Sequence, residues 1–278
     1  MEKLYLKIGN QDEFDICDKV QGLHFLGDDS TPVTTNQFLE ISGTDGSQFQ
    51  YSTIGKYQIV ANFFLEFKSW EDYKLAKHQM NRIFSTKKLI RIWTNVESAI
   101  VRYVYPNFPE IKPISDGANS STFSVNFDNP SGYRYSIDRS DELSKVQYGM
   151  YLLDDIYPEY HFTDKSFRVY NPSDIPIDPY LGKHDLKIIS KFSGSSLKIT
   201  NTTNGTSWSY NKSSNDSETV LLDGIVTTVN GNPATVNTDY GHLVLNTGWN
   251  DIVVSGTNSN DITFSFPFIY IWCFKVRF

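Results

Sequence analysis

The second half of the chain is a series of short segments rich in β-branched and aromatic residues, separated by turn signals. The turns include Asn204-Gly205, Asp223-Gly224, Asn230-Gly231 and Thr247-Gly248. Such dipeptides favour the tight turns that join antiparallel strands. Evenly spaced short strands of this kind predict an antiparallel β-sandwich over residues 166–278. The predicted strands are 167–170, 185–190, 196–200, 206–210, 219–224, 242–245, 249–256 and 261–268.

The stretch 171–179, NPSDIPIDP, contains three prolines and lies near the start of this region. Each proline lacks a backbone N–H and has a fixed φ angle. The stretch can therefore be extended, but it cannot lie in the middle of a sheet with a full set of ladder hydrogen bonds. It predicts an entry strand at a sheet edge.

The first half has one clear helical pattern, between segments with the composition of strands. Residues 70–84 place Trp70, Tyr73, Met80, Ile83 and Phe84 on one side at helical spacing, after Ser69 as an N-cap. Strands are predicted at 57–67, 89–95, 99–105 and 122–128. This order predicts an α+β unit over residues 1–145 in which one helix covers a sheet.

Acidic residues cluster in 138–165 without a sustained hydrophobic period, so we predict a linker at 146–165.

Aromatic residues make up 15% of the chain, which favours strands over helices, and the expected class is mainly β. The acids Asp154, Asp155 and Glu159 beside His161 fit a solvated loop better than a catalytic pair. The histidines lack zinc-site spacing, and we expect no catalytic, metal or cofactor-binding site and no enzyme activity.

The charge pattern disfavours tight binding of nucleic acid. The formal net charge is −7, and the longest basic run is Lys87-Lys88.

Cys17 and Cys273 fit no metal or redox spacing and are expected to be reduced structural thiols. The start of the chain has no apolar signal-peptide core, which predicts synthesis in the cytoplasm. The apolar run 262–274 is shorter than a membrane span, so we expect a buried closing strand and no membrane insertion.

Trp208 and Tyr210 share one face of a predicted strand. Aromatic rings at such a position either pack in the core or stack on a sugar, as in carbohydrate-binding sandwiches. These two residues are the candidates for sugar stacking. A carbohydrate-binding receptor module for the host cell wall is therefore the alternative function.

Three separate blocks carry a family resemblance: FRVYNPSDIPIDP (167–179), LKITNTTNGTSWSYN (197–211) and GWNDIVVSG with ITFSFPFIYI (248–271). In order and spacing they resemble the C-terminal half of the distal tail proteins of siphophages. The first half resembles the same family through Asp45-Gly46, FFLEF, the helix SWEDYKLAKHQMNRIF and TFSVNF. The resemblance covers nearly the whole chain.

The resemblance implies a structural hub at the distal end of the phage tail, made in the cytoplasm of the bacterial host. The family's N-terminal domain forms a homo-hexameric ring around a channel through which DNA passes without specific binding. The ring joins the major tail tube protein to the tail-tip or tail-associated lysin protein. The C-terminal domain is a galectin-like sandwich on the outside of the ring, where receptor-binding or baseplate proteins dock.

A closed ring requires each subunit to present two different surfaces to its neighbours, and joined sheet edges are one way to form that contact. We take strands 89–95 and 99–105 as candidates. Their candidate contact residues are Ile90, Ile92, Val101 and Tyr103. An acidic balance in this half also suits a DNA channel, because a basic lining would retain the genome.

Overall fold

The computed structural model describes residues 2–145 and 158–271. Within them the chain divides into two units, the first ending at Arg134 and the second running from Tyr135 to Tyr270. Strands predominate in both units, which confirms the mainly β class. Most of the predicted linker 146–165 lies outside the described residues, and the predicted domain limits stay predictions.

The first unit contains nine strands and two helices within the described residues. The strands are β1 (Leu4–Ile8), β2 (Phe14–Asp15), β3 (Leu23–Ser30), β4 (Val33–Leu39), β5 (Gln48–Gly55), β6 (Tyr57–Glu66), β7 (Ile90–Thr94), β8 (Ile100–Pro106) and β9 (Ser120–Asn129). The helices are α1 (Ile16–Lys19) and α2 (Trp70–Phe84). Seven strands form an antiparallel sheet in the order β2-β1-β7-β8-β9-β6-β3, whereas β4 and β5 pair only with each other.

Helix α2 spans the residues that the periodicity predicts. The Ser69 side chain accepts a hydrogen bond from the backbone N–H of Asp72 at 3.2 Å and caps the helix. Tyr73, Met80 and Phe84 are buried, and the Phe84 ring lies 5.6 Å from that of Phe127 on β9. The predicted apolar face is wrong at Trp70, which is 57% exposed, because it lies in the first turn, at the rim of the packed surface.

The single described cysteine lies in α1. Cys17 is a free, half-buried thiol, and burial raises its pKa to about 11, so the group is protonated and unreactive at neutral pH. Cys273 lies outside the described residues. No helix in the described part of the chain is both long and apolar enough to cross a membrane.

The second unit is built from strands and two short 3-10 turns, Ser140–Lys145 and Thr235–Asn237. Its first strand begins at Arg134, the last residue of the first unit. The strands are β10 (Arg134–Arg139), β11 (His161–Phe162), β12 (Ser166–Asn171), β13 (Lys187–Asn201), β14 (Ser207–Tyr210), β15 (Ser214–Asn215), β16 (Val220–Asp223), β17 (Val226–Val229), β18 (Asn232–Pro233), β19 (Gly248–Ser265) and β20 (Pro267–Tyr270). The predicted edge strand at 171–179 is wrong for most of its length: only Asn171 belongs to β12, and Ile177 forms an isolated bridge with Leu245, because the prolines remove backbone donors. Strand β12 itself pairs only with β19.

Two long strands organise this unit. β13 merges the predicted strands at 185–190 and 196–200, and β19 merges those at 249–256 and 261–268. The two pair along almost their whole length, with register shifts between Ser193 and Lys198. One half of the pair is flanked by β12 and β14, and the other half by β11 and β16. The pair therefore belongs to both halves of the sandwich.

The core of the second unit follows the period of two. Inward residues of β13 and β19 are buried, and Phe264, Phe266 and Phe268 are fully buried. Up to Ile271, the apolar C-terminal run is therefore part of this core, as the sequence predicts. The remaining residues of that run lie outside the described part. The predicted strand at 242–245 is reduced to an isolated bridge between Leu245 and Ile177.

Candidate assembly surfaces

Strands β6 and β9 present a polar face to solvent. Their inward residues alternate with it and pack under α2 in the core of the first unit. Asn62 and Ser124 lie directly opposite each other across the two strands, and the Ser124 hydroxyl donates to the Asn62 side-chain oxygen at 2.7 Å. The outward residues are the polar Gln58, Asn62, Glu66, Ser120, Thr122, Ser124, Asn126 and Asp128 and the apolar Val60 and Phe64.

This polar face carries no positive charge. No outward residue along the two strands, both fully described, is a lysine or arginine. The carboxylate of Asp128 accepts hydrogen bonds from Asn107 at 3.0 Å and Gln58 at 2.9 Å, and these bonds hold its pKa below its usual value. Asp128 is therefore ionised at neutral pH. The face is neutral to acidic.

Strands β4 and β5 form a hairpin that stands apart from the main sheet. Every residue of β4 and the first six residues of β5 are exposed. The Phe38 and Phe49 rings contact each other edge to face, with centroids 5.8 Å apart, yet they remain 53% and 55% exposed. The exposed large apolar residues of the hairpin are Val33, Phe38, Leu39, Ile41, Phe49 and Tyr51.

An isolated two-stranded hairpin is marginally stable in water. Exposed apolar side chains in such a cluster mark an interaction surface, because leaving them in water forfeits the free energy of burial. The hairpin is therefore a candidate contact surface. Sequence reasoning missed it, although β-rich segments lie on both sides of the turn sequence SGTDGS at 42–47.

Packed groups hold the base of the hairpin. A Cβ atom added to Gly132 would lie 2.7 Å from the carbonyl oxygen of Gly55, so only glycine fits beside the end of β5. At the other side, the Arg134 guanidinium donates to the hydroxyl of Ser30 at 3.1 Å, three residues before β4 begins. The hairpin thus projects from a fixed base.

A buried ionic cluster supports the same region. Arg102 on β8 donates to Asp28 on β3 and to Glu97, the latter at 2.5 Å. Arg134 also reaches the Glu97 carboxylate, at 3.2 Å. Strands β8 and β3 are separated by β9 and β6 in the sheet, so a direct pair between them shows that this part of the sheet curls.

The predicted ring-contact residues differ in accessibility. Ile90, Ile92 and Val101 are buried in the first unit, whereas Tyr103 is 37% exposed. Strand β7 lies between β1 and β8, so neither of its edges is free. Within the subunit, the side chains of the three aliphatic residues are already packed. The ring contact at these positions stays a prediction, and Tyr103 is the one of the four that reaches solvent.

The predicted sugar-stacking residues lie inside the second unit. Trp208 and Tyr210 are both buried, on the inward side of β14. Stacking on a sugar requires a free ring face, which these residues do not offer in this structure. The exposed tryptophan of this unit within 158–271 is Trp249, which the sequence pattern did not single out.

The predicted acidic cluster is only partly visible. Asp154 and Asp155 lie outside the described residues. The Nε2 atom of His161 lies 2.8 Å from a carboxylate oxygen of Asp261, within hydrogen-bond distance, and both side chains are more than half exposed. In the described part of the chain, no group of three or more histidine, cysteine, aspartate or glutamate residues is placed to hold a metal ion.

Comparison with known proteins shows similarity to phage tail components. Residues 12–129 match the family model described as phage tail protein RIFT-related domain. None of the curated proteins matches the sequence. The Dit protein of phage SPP1, described as a paradigm of hub adsorption apparatus in phages infecting Gram-positive hosts, is similar in structure, with a TM-score of 0.67 and 12% identity. The alignment covers 95% of this chain and 99% of that chain.

Two chains from the phage p2 baseplate in its activated conformation also match, with 15% and 16% identity, and both alignments cover 96% of this chain and 98% of that chain. Their TM-scores of 0.45 and 0.47 are too low to establish a shared fold. The first unit carries the tail-protein domain, and the chain as a whole has the fold of SPP1 Dit. The chain therefore resembles the distal tail proteins of siphophages in its tail-protein domain and in its fold.

Proposed function

We propose that this phage tail protein is a non-enzymatic structural subunit that assembles into a homo-hexameric ring at the distal end of the tail. The ring joins the major tail tube protein to the tail-tip or tail-associated lysin protein, and the second unit offers sites for receptor-binding or baseplate proteins. The tail-protein domain in residues 12–129 and the likeness to a hub protein support this role. The observation that carries the proposal is the exposed apolar hairpin β4–β5.

The hairpin fits a contact between copies of this chain. A ring needs a projecting element on one side of each subunit and an accepting surface on the other side of its neighbour. The hairpin projects from a fixed base, and its exposed aromatic residues Phe38, Phe49 and Tyr51 are of the kind that dominates interface energetics. Burial against the next subunit would stabilise the hairpin as well as the ring.

The polar face of β6 and β9 fits the channel. DNA passes most easily along a surface that makes no counterion-releasing contacts with phosphates, and such contacts come from lysine and arginine. This face carries hydroxyl and amide groups and the ionised Asp128, with no basic residue. In the proposed ring it lines the passage.

Light scattering on purified protein, alone and with the tail tube and tail-tip proteins, tests the assembly. A hexamer has a mass of about 191 kDa, six times the 31.8 kDa chain. The double variant Phe38→Asp, Phe49→Asp is expected to remain monomeric with an unchanged thermal midpoint, because both side chains are solvent-exposed in the subunit. Phe108→Asp, at a residue that is 67% exposed outside the hairpin, is the control and is expected to assemble as the wild type does.

Negative-stain images of the wild type should show perforated rings. The ring would be contradicted if the wild type stayed monomeric alone, with the tail tube protein and with the tail-tip protein. Normal rings formed by the double variant would contradict the role of the hairpin and leave the ring itself standing.

A further inference from the structure

The outward face of β12, β19, β13 and β14 carries hydroxyl and charged side chains around one exposed tryptophan. The cross-strand register places Tyr170 opposite Trp249 and Arg168 opposite Asp251. Thr200 lies opposite Val253, and on its other side opposite Ser207. The face therefore has an aromatic end and a polar extension, built on a continuous sheet.

Trp249 is 39% exposed at the aromatic end of this face. The Arg168 guanidinium lies over its indole ring, 4.4 Å from the centroid. The Tyr170 ring lies 4.9 Å away at an interplanar angle of 52°. The tyrosine contact packs the indole against the sheet, and the guanidinium lies over the ring at the place that a ligand would take.

Buried amides fix the turn that precedes Trp249. The Asn250 side chain donates to the carbonyl oxygens of Asn246 at 2.8 Å and Gly248 at 3.1 Å. Its amide oxygen accepts from the backbone N–H of Asn246 at 2.8 Å and from the side chain of Asn201 at 2.9 Å. Asn250 and Asn201 are fully buried, so this network positions the indole before any ligand arrives.

We propose that this face binds a pyranose ring of a glycan through Trp249. The apolar C–H face of a pyranose stacks on an indole, while its hydroxyls need donors and acceptors around the rim. Arg168 supplies donors and Asp251, opposite it on β19, supplies acceptors beside the ring. A sugar on the outer indole face displaces the guanidinium from the ring, and the guanidinium then donates to the sugar hydroxyls.

A glycan fits this face better than a protein partner does. The core of a protein interface is depleted in lysine and aspartate, whereas here Lys198 and Asp251 lie among the outward positions and can bond to sugar hydroxyls. The polar extension offers hydroxyls at Thr200 and Ser207, which suit the next sugar units of a chain. The site lies within the second unit and does not depend on ring assembly.

An array of linear oligosaccharides of glucose, galactose, N-acetylglucosamine, N-acetylgalactosamine and rhamnose, probed with the full-length protein, tests the proposal. At least one oligosaccharide is expected to bind and to change the tryptophan fluorescence. Trp249→Ala is expected to weaken that binding about tenfold or more, and Arg168→Ala several-fold. Trp70→Ala, which removes another exposed tryptophan from the first unit, is the control and is expected to bind normally.

Circular dichroism and the thermal midpoint confirm that each variant is folded. Absence of binding to every oligosaccharide at 10 mM would overturn the proposal, as would normal binding by folded Trp249→Ala. If no sugar binds and Trp249→Ala instead prevents association with another tail protein, the face is a protein-docking surface and the glycan proposal fails. Light scattering on the same samples reports ring assembly separately, so the two proposals can fail independently.

Discussion

Gly194 on β13 and Gly256 on β19 approach each other so closely that neither position has room for a side chain. A Cβ atom on Gly194 would lie 2.6 Å from the carbonyl oxygen of Gly256. Gly256 has a φ of +84°, and a Cβ atom there would lie 2.8 Å from the carbonyl oxygen of Ser196. This contact allows the two long strands to bend from one half of the sandwich to the other.

Replacing Gly256 by alanine is therefore expected to lower the free energy of unfolding of the second unit by roughly 2–4 kcal/mol, from backbone strain and steric overlap. Gly231→Ala is the matched control, since Gly231 has a similar φ of +81° and no atom within 4 Å of an added Cβ. Its cost should be about 1–2 kcal/mol. Urea denaturation measures both values, and equal losses would contradict the steric part of the argument.

Loss of Glu97 should destabilise the first unit strongly. Its carboxylate pairs with Arg102 and Arg134, whose side chains are almost fully buried. Glu97→Ala removes one anionic partner from each of two buried guanidinium groups, at a cost of roughly 3–5 kcal/mol. Glu110→Ala breaks the exposed pair with Lys112 and should leave stability almost unchanged, because solvent screens the two charges. Denaturant midpoints of the two variants provide the comparison. Similar midpoints would contradict the claim that the buried ion pairs of Glu97 stabilise the first unit.

The stability of the second unit should fall on mild acidification because of His184. Burial lowers the pKa of His184 below its usual value of 6.5, and its Nδ1 lies 3.1 Å from the backbone nitrogen of Asp178. Below pH 6.5 the unfolded chain therefore takes up a proton that the folded protein does not, so the free energy of unfolding decreases as pH falls through this window. Urea midpoints between pH 5 and 8 measure the slope.

In His184→Gln, the free energy of unfolding should fall less steeply as the pH decreases, because the contribution of His184 is removed. A wild-type slope that persists unchanged in His184→Gln would show that another group is responsible.

Lysines on the polar face of β6 and β9 should convert it into a DNA-binding surface. Ser124→Lys with Asn126→Lys adds two positive charges per subunit to a face that has none. Fluorescence anisotropy with labelled duplex DNA is expected to show weak binding by the wild type and tighter, strongly salt-dependent binding by the variant. Ser213→Lys with Asn232→Lys adds the same charge to exposed sites of the second unit. If this control binds DNA as tightly as the face variant, the channel assignment loses its support.

Local signals made several elements predictable. Helix α2 begins after a serine cap and repeats its apolar residues at helical spacing, and both signals act within a few neighbouring residues. Strands β6, β7, β8 and β9 were predicted within two residues at each end, since alternation is also a local property. The family resemblance, carried by separate blocks in both halves, was confirmed by the tail-protein domain and the Dit fold.

The candidate surfaces were harder to predict. Alternation shows that Trp208 and Tyr210 share a face, but not that this face points into the core. Trp249 lies on a strand of similar pattern and points outward. The hairpin β4–β5 has ordinary strand composition, and only its separation from the main sheet makes its aromatic residues stand out.

The sequence by itself determined the mainly β class, the position of the central helix and the family resemblance, because each rests on residues close together in the chain or on the order of whole blocks. Only the tertiary structure decided which tryptophan is buried, which sheet face is open and where Arg102, Glu97 and Asp28 meet. Those outcomes depend on contacts between residues far apart in sequence. A period of two defines the two sides of a strand, and packing against the rest of the fold decides which side is buried.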